Sequence, residues 1–174
     1  MKGEKERVMK NIILTGMPSC GKSTLGVVLA KTLGMSFIDT DLMIQNYTGR
    51  LLQNIIDQDG REEFLRIEEY ILTQVEAENS VIATGGSAVY SDRGMKHLRA
   101  IGEIIYIRLP LEEIRKRLNN IKTRGIAMAP GENLEDLYNR RIPLYEKYAD
   151  AILDAEGMTM EESLSVFVTE LLDK

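Results

Sequence analysis

The chain has 174 residues, 44% of them hydrophobic and 28% charged, with a formal net charge of -5. That size and balance suit one globular domain with its own core. The acidity argues against nucleic acid or an anionic membrane surface as partner, because neither attracts negative charge.

Residues 1–10 are polar and charged and lack the apolar centre of a signal peptide. No apolar run reaches the roughly 18 residues of a membrane span. Cys20 is the single cysteine, so no internal disulfide can form, and a cytoplasmic location is expected. A monomer with no membrane or nucleic-acid partner is the expected state.

Strand and helix patterns then alternate. Asn11–Thr15 (NIILT) is an apolar run ending in a glycine turn and reads as a buried strand. Lys22–Leu33 carries a helical stripe at Leu25, Val28, Leu29 and Leu33. Residues 36–38 read as a short strand, 51–56 as a short helix closed by Gly60, and 62–77 as a long helix with its stripe at Phe64, Ile67, Ile71 and Val75. A second buried strand, 81–84, stops at Gly85 and Gly86. Helix 92–100, strand 103–107 and helix 111–118 follow. Residues 119–132 contain Gly125, Pro130 and Gly131 without periodicity and read as a mobile loop. The pattern closes with a helix over 134–147 interrupted near Pro143, a strand over 151–153 and a helix over 160–172. Such alternation predicts an α/β fold with a parallel sheet covered on both faces, and a ligand site at the carboxyl ends of its strands.

The segment Gly16-Met17-Pro18-Ser19-Cys20-Gly21-Lys22-Ser23 fits G-x4-G-K-[ST], and Thr24 follows it. It lies between a predicted strand and a predicted helix, the context in which this pattern marks a phosphate-binding loop. Glycines let backbone N–H groups turn toward phosphate oxygens, and the helix adds its positive end. Lys22 is then the residue for the β- and γ-phosphates of ATP, and the Ser23 hydroxyl a ligand for Mg²⁺. The bland alternative is a chance match in a glycine turn.

Asp39 and Asp41 end the second strand (FIDTD). One can serve the metal, and the other can orient or deprotonate an attacking hydroxyl. The competing reading makes Asp41 the N-cap of the next helix. Gly85 and Gly86 permit close backbone approach to a ligand, or simply form a turn. Arginines cluster at Arg115 and Arg117, at Arg124 in the loop, and at Arg140 and Arg141. A loop arginine can close over a transferring phosphate, although most arginines are merely solvated. Cys20 reads as filler and, beside a helix N-terminus, as a candidate reactive thiol. His97 reads as a surface residue.

Taken together, GMPSCGKST, FIDTD, GREEFLRIEE from Gly60, TGGSAV from Thr84, TRG at 123–125 and RRIPLY from Arg140 resemble shikimate kinase, a member of the nucleoside-monophosphate-kinase-like P-loop fold. The resemblance runs from about Asn11 to the last helix. It implies a single P-loop kinase domain over 1–174, with an acceptor-binding segment near 41–77 and a lid near 119–132. It implies ATP and Mg²⁺, with Gly16, Ser19, Cys20, Gly21, Lys22, Ser23, Thr24, Arg117 and Arg124 at the nucleotide. Arg117 would pack on adenine, and Ser23 and Asp39 would hold the metal. Lys22, Asp41 and Arg124 would carry catalysis, and Asp41, Gly85, Gly86 and Arg141 would bind the acceptor. The reaction implied is transfer of the ATP γ-phosphoryl to shikimate, giving shikimate 3-phosphate for aromatic amino-acid synthesis.

Two positions depart from the family pattern G-E-x-x-F-R-x-x-E. Arg61 replaces its glutamate and Leu65 its substrate-binding arginine, while Gly60, Phe64 and Glu68 match. Ser87 also stands where a third glycine is usual. Arg61 precedes Leu65 by four residues, about 40° away around a helix, so it can cover for the missing arginine. These departures leave a kinase of another small hydroxy acid, such as gluconate, as an alternative. A non-catalytic ATP-binding regulator is a third reading.

Overall fold

The structure is a computed structural model that describes residues 10–118 and 125–171. Its first strand, β1 (Asn11–Thr15), is buried at every position. Such a strand must lie mid-sheet with both faces covered, and its unbroken apolar run reflects that. β1 pairs in parallel with β3 (Ser80–Ala83) on one side and β4 (Gly102–Arg108) on the other. β2 (Ser36–Asp39) lies outside β3, and β5 (Ala151–Asp154) outside β4. The five-stranded order is β2-β3-β1-β4-β5, so chain direction across the sheet reverses at β1. The crevice at its carboxyl end is the ligand position this topology favours.

α1 (Lys22–Leu33) begins at Gly21 and ends at Gly34, both in the left-handed region with φ of 98° and 67°. Between β2 and β3 the chain forms three helices rather than two: α2 (Thr40–Thr48), α3 (Leu52–Asp59) and α4 (Arg61–Thr73). α2 has no helical stripe in its sequence and buries only Thr40 and Ile44, which is why periodicity does not reveal it. Asp39 is its N-cap, accepting from the backbone N of Asp41 and Leu42, so Asp41 is not the cap. A second hydrophobic cluster, built on Ile44, Ile55, Phe64 and Ile71, unites these helices.

α5 (Asp92–Ile101) and α6 (Leu111–Arg117) flank β4, and α7 (Leu134–Tyr148) precedes β5. α7 runs unbroken through Pro143, against expectation. Leu137, Arg141, Tyr145 and Tyr148 recur on one buried face and anchor the helix on both sides of the proline. Pro143 and Asn139, whose carbonyl loses its helical partner, are exposed, so water can satisfy that carbonyl. α8 (Met160–Val166) continues as a π-helical segment, Phe167–Leu171. Among the described residues, no helix is long and apolar enough to cross a membrane. His97 is half-buried, with Nε2 2.7 Å from the carbonyl O of Val75.

Candidate active site

Because β1 and β3 are parallel neighbours, the loops that leave them, 16–21 and 85–87, open at the same edge of the sheet. Between them lies a cleft of about 340 Å³ whose walls include Pro18, Lys22, Ser23, Asp41, Gly86 and Arg141. The topology thus collects residues that are far apart in sequence.

The loop is held tightly. Gly16 has φ of 148°, and a Cβ there would stand 2.7 Å from the Ile107 carbonyl oxygen and 2.8 Å from Cys20 Sγ. Only glycine fits. Ser19 also adopts a positive φ, 65°. Among the described residues, no side-chain cap hydrogen bond closes the start of α1, whereas α7 and α8 both carry capping boxes. Its first N–H groups, with the helix dipole behind them, are therefore available to an anion. These features fit a bound phosphate.

Lys22 is buried, and its Nζ donates to the carbonyls of Gly16 (2.7 Å) and Met17 (2.8 Å) and lies 3.6 Å from Cys20 Sγ. Ser23 Oγ donates to Asp39 Oδ2 at 2.8 Å, which places the two expected metal ligands side by side. Thr24 is exposed on the first turn of α1. Cys20 is a buried filler, only 5% exposed, packed under the loop rather than offered to solvent.

Asp41 lines the cleft. Burial, reinforced by the nearby charge of Asp39 and opposed by Lys22, pushes its carboxyl up to about 6. Glu68, 1% exposed on α4, is pushed up to about 7, chiefly by burial and against a hydrogen bond from Ser87 Oγ at 2.6 Å. A Cβ on Gly85 would lie 2.7 Å from both Asp41 Oδ1 and Glu68 Oε1, so only glycine leaves the two carboxyls room. Gly86 is similarly placed, with a hypothetical Cβ 2.7 Å from Arg141 Nη1. Its carbonyl accepts from Tyr145 OH at 2.6 Å.

Arg141 is 1% exposed and donates to the Ala127 carbonyl (3.0 Å) and Tyr90 OH (3.3 Å). Arg61 does not line the main cleft, but its guanidinium reaches the same tyrosine. Arg117 is apart from these groups. It pairs with Glu113 at 3.4 Å and lines a smaller cleft with Gly21, Met158 and Met160 on the other side of the phosphate loop. Arg124, the expected lid arginine, lies outside the described residues. The next residue, Gly125, donates to Gln53 Oε1 at 3.1 Å, and Ile126 and Ala127 wall the cleft.

Sequence reasoning assigned no role to Glu68, Ser87, Tyr90 or Tyr145. Glu68 carried a usable signal: a carboxylate four residues after buried Phe64 and three before buried Ile71, on the face where apolar residues belong.

A family model for shikimate kinase matches residues 18–172. A shikimate kinase of Thermodesulfovibrio yellowstonii is 37% identical over 165 residues, covering 93% of this chain and 95% of its own length. One from Histophilus somni is 36% identical over 168 residues, with 94% of each chain covered. Among solved structures, shikimate kinase from Acinetobacter baumannii in complex with shikimate superimposes with a TM-score of 0.85 at 28% identity, covering 95% of this chain and 94% of that one. The enzyme from Aquifex aeolicus does so at 0.78 and 27%, covering 93% and 96%. The fold, the phosphate loop and these likenesses agree, and the chain belongs to the shikimate kinase family of ATP-dependent kinases.

Proposed function

We propose that this protein transfers the γ-phosphoryl group of ATP to a hydroxyl of shikimate, giving shikimate 3-phosphate on the route to aromatic amino acids. The observation that carries this reading is the single cleft in which Lys22 and Ser23 of the phosphate loop face Asp41, Gly85, Gly86 and Arg141. A nucleotide sensor needs the first pair alone.

Lys22 serves the phosphates, where negative charge is concentrated, and the uncapped start of α1 supports them. Ser23 and Asp39 fit a hard cation that prefers oxygen ligands. Mg²⁺ held there would neutralise phosphate charge. Asp41 orients the acceptor hydroxyl and takes its proton. A carboxyl near 6 is still ionised at neutral pH yet is a better proton acceptor than an ordinary aspartate. Backbone at Gly85 and Gly86 meets the acceptor, and Arg141 binds its carboxylate with directional, charge-assisted hydrogen bonds. Arg117 and the two methionines beside it suit the apolar, flat face of adenine. Arg124 closes over the phosphates. Catalysis by such a site is mainly positioning and charge neutralisation.

The second reading, a different carboxylated polyol as acceptor, rests on Leu65 in place of the family arginine. Purified protein assayed for ADP release with Mg-ATP and shikimate, or gluconate, or no acceptor, separates these readings. Shikimate-dependent release is expected. Release that no acceptor stimulates would remove the kinase reading, and release with gluconate alone would move it to the second.

A further inference from the structure

Arg61 at the start of α4 and Arg141 in α7 converge on one side chain. Each guanidinium carbon lies 5.3 Å from the centroid of the Tyr90 ring. Tyr90 ends the short 3₁₀ turn Ala88–Tyr90, which follows directly on Gly85, Gly86 and Ser87. The same tyrosine accepts from Arg141 Nε through its hydroxyl, at 3.3 Å.

Among the described residues, neither arginine has its charge met by a hydrogen bond to a buried carboxylate. Arg61 has a side chain only 20% exposed, and its ion-pair partner is Glu62, itself 83% exposed. A pair so open to solvent gives little compensation. Among the described residues, the buried Nε of Arg61 has no hydrogen-bond partner. Arg141 donates to a carbonyl and a phenol, both neutral. Glu68, the carboxyl that feels the charge of Arg141, is buried and pushed up to about 7, so it is only partly ionised near neutral pH. Two largely desolvated cations with idle donor capacity therefore meet at Tyr90, Arg141 from the wall of the main cleft and Arg61 from outside it.

An aromatic face attracts cations through its quadrupole, and most strongly where water is excluded. One ring touched by two guanidiniums holds together charges that would otherwise repel. The resemblance expects an arginine at 65. Leu65 stands there instead and shares a second cleft, of about 180 Å³, with Tyr90, Ser87 and Glu68. Arg61, one turn earlier on the same face of α4, reaches Tyr90.

We propose that Tyr90 is a positioning residue of the acceptor site, whose ring anchors Arg61 beside Arg141 as a two-guanidinium receptor for the acceptor's carboxylate. This rests on the reading of the protein as a kinase of a carboxylated alcohol. Tyr90 acts through the arginines and not on the reacting atoms. Its loss therefore weakens acceptor binding and leaves nucleotide binding alone.

The test is steady-state kinetics with shikimate and with its methyl ester, in wild type, Tyr90→Leu, Tyr90→Phe, Arg61→Ala and the Tyr90→Leu/Arg61→Ala pair. Melting temperatures verify that each variant folds. Tyr90→Leu is expected to raise the shikimate KM about tenfold or more, with the ATP KM changed less than about twofold. Tyr90→Phe keeps the ring and should restore most of the affinity. Arg61→Ala should raise the shikimate KM in the wild-type background and add little in Tyr90→Leu, because the two act as a unit. The ester, which lacks the charge, should lose far less in Tyr90→Leu than the acid does. An unchanged shikimate KM in Tyr90→Leu, a Phe variant no better than Leu, or equal losses for acid and ester each overturn the proposal. If Tyr90→Leu does not fold, an unchanged KM in Arg61→Ala overturns it alone. Failure of wild type to phosphorylate shikimate is a separate result, and it overturns the acceptor assignment together with this inference.

Discussion

Ser87 donates a 2.6 Å hydrogen bond to Glu68, joining the turn after β3 to the buried face of α4. That contact engages Oε2, while Oε1 is buried, has no hydrogen-bond partner among the described residues and faces the same backbone as Asp41 Oδ1. Burial pushes Glu68 from 4.5 up to about 7. Between those values the unfolded chain releases the proton and the folded chain keeps it. The stabilisation from the protonated form is complete below about pH 4.5 and is lost as pH rises through about 7. Asp41, raised from 3.8 to about 6, acts in the same direction over a lower window. The wild-type melting temperature should therefore fall between pH 5 and pH 8, relative to Glu68→Gln, by several degrees, corresponding to ~2 kcal/mol for a chain of this size. Thermal denaturation across that range is the measurement. Parallel curves for the two proteins would show that Glu68 does not titrate with folding.

Gly85→Ala probes how closely backbone, Asp41 and Glu68 are fitted. The new methyl would meet both carboxyls at 2.7 Å, so Asp41 and Glu68 would have to shift to admit it. In the proposed reaction Asp41 meets the acceptor hydroxyl, so a shift of even ~1 Å should cost roughly a hundredfold in kcat/KM for the acceptor. ATP affinity, measured by calorimetry, should stay within about threefold. An Ala variant with wild-type kcat/KM would place the acceptor elsewhere.

Lys22→Met removes the ammonium that, in the proposed reaction, meets the charge building on the transferring phosphates. A loss of ~3 kcal/mol or more in transition-state stabilisation, at least roughly a hundredfold in kcat, is expected, with an unchanged circular dichroism spectrum. A variant that retains most of its turnover would falsify the role of this loop in phosphoryl transfer.

Cys20 lies under the phosphate loop, its sulfur packed against Gly16. Burial should make its alkylation by a maleimide slow in the folded protein, in contrast to rapid labelling in denaturant, and Mg-ATP should slow it further, because Cys20 lines the cleft proposed for adenine. Fast labelling that ATP suppresses would restore the sequence-based expectation of a reactive thiol.

Strand β1, the phosphate loop and α1 were readable because three independent signals coincide there: an unbroken apolar run, glycines at the turn and a 3.6-residue stripe. β3 with its two glycines was readable for the same reason. The acceptor side was less so. α2 shows Leu42, Met43 and Ile44 in a row, a pattern without helical period, and only Ile44 of the three is buried. The proline in α7 reads as a break because local rules do not count the buried face on either side of it. Glu68 and Tyr90 draw their importance from neighbours far away in sequence, Ser87 and Asp41 for one and two arginines for the other. No single window of sequence contains those pairings.

The ammonium of Lys22 has three N–H groups, and the loop supplies three acceptors: the carbonyls of Gly16 and Met17 and the sulfur of Cys20. In the proposed complex, a phosphate oxygen arriving at this lysine would enter an exchange, in which charge-assisted bonds to the nucleotide replace bonds the loop makes to itself. The free energy of nucleotide binding is reduced by what those internal bonds were worth. A loop that competes with its own ligand in this way would hold nucleotide less tightly than one whose lysine had no internal bonds to give up.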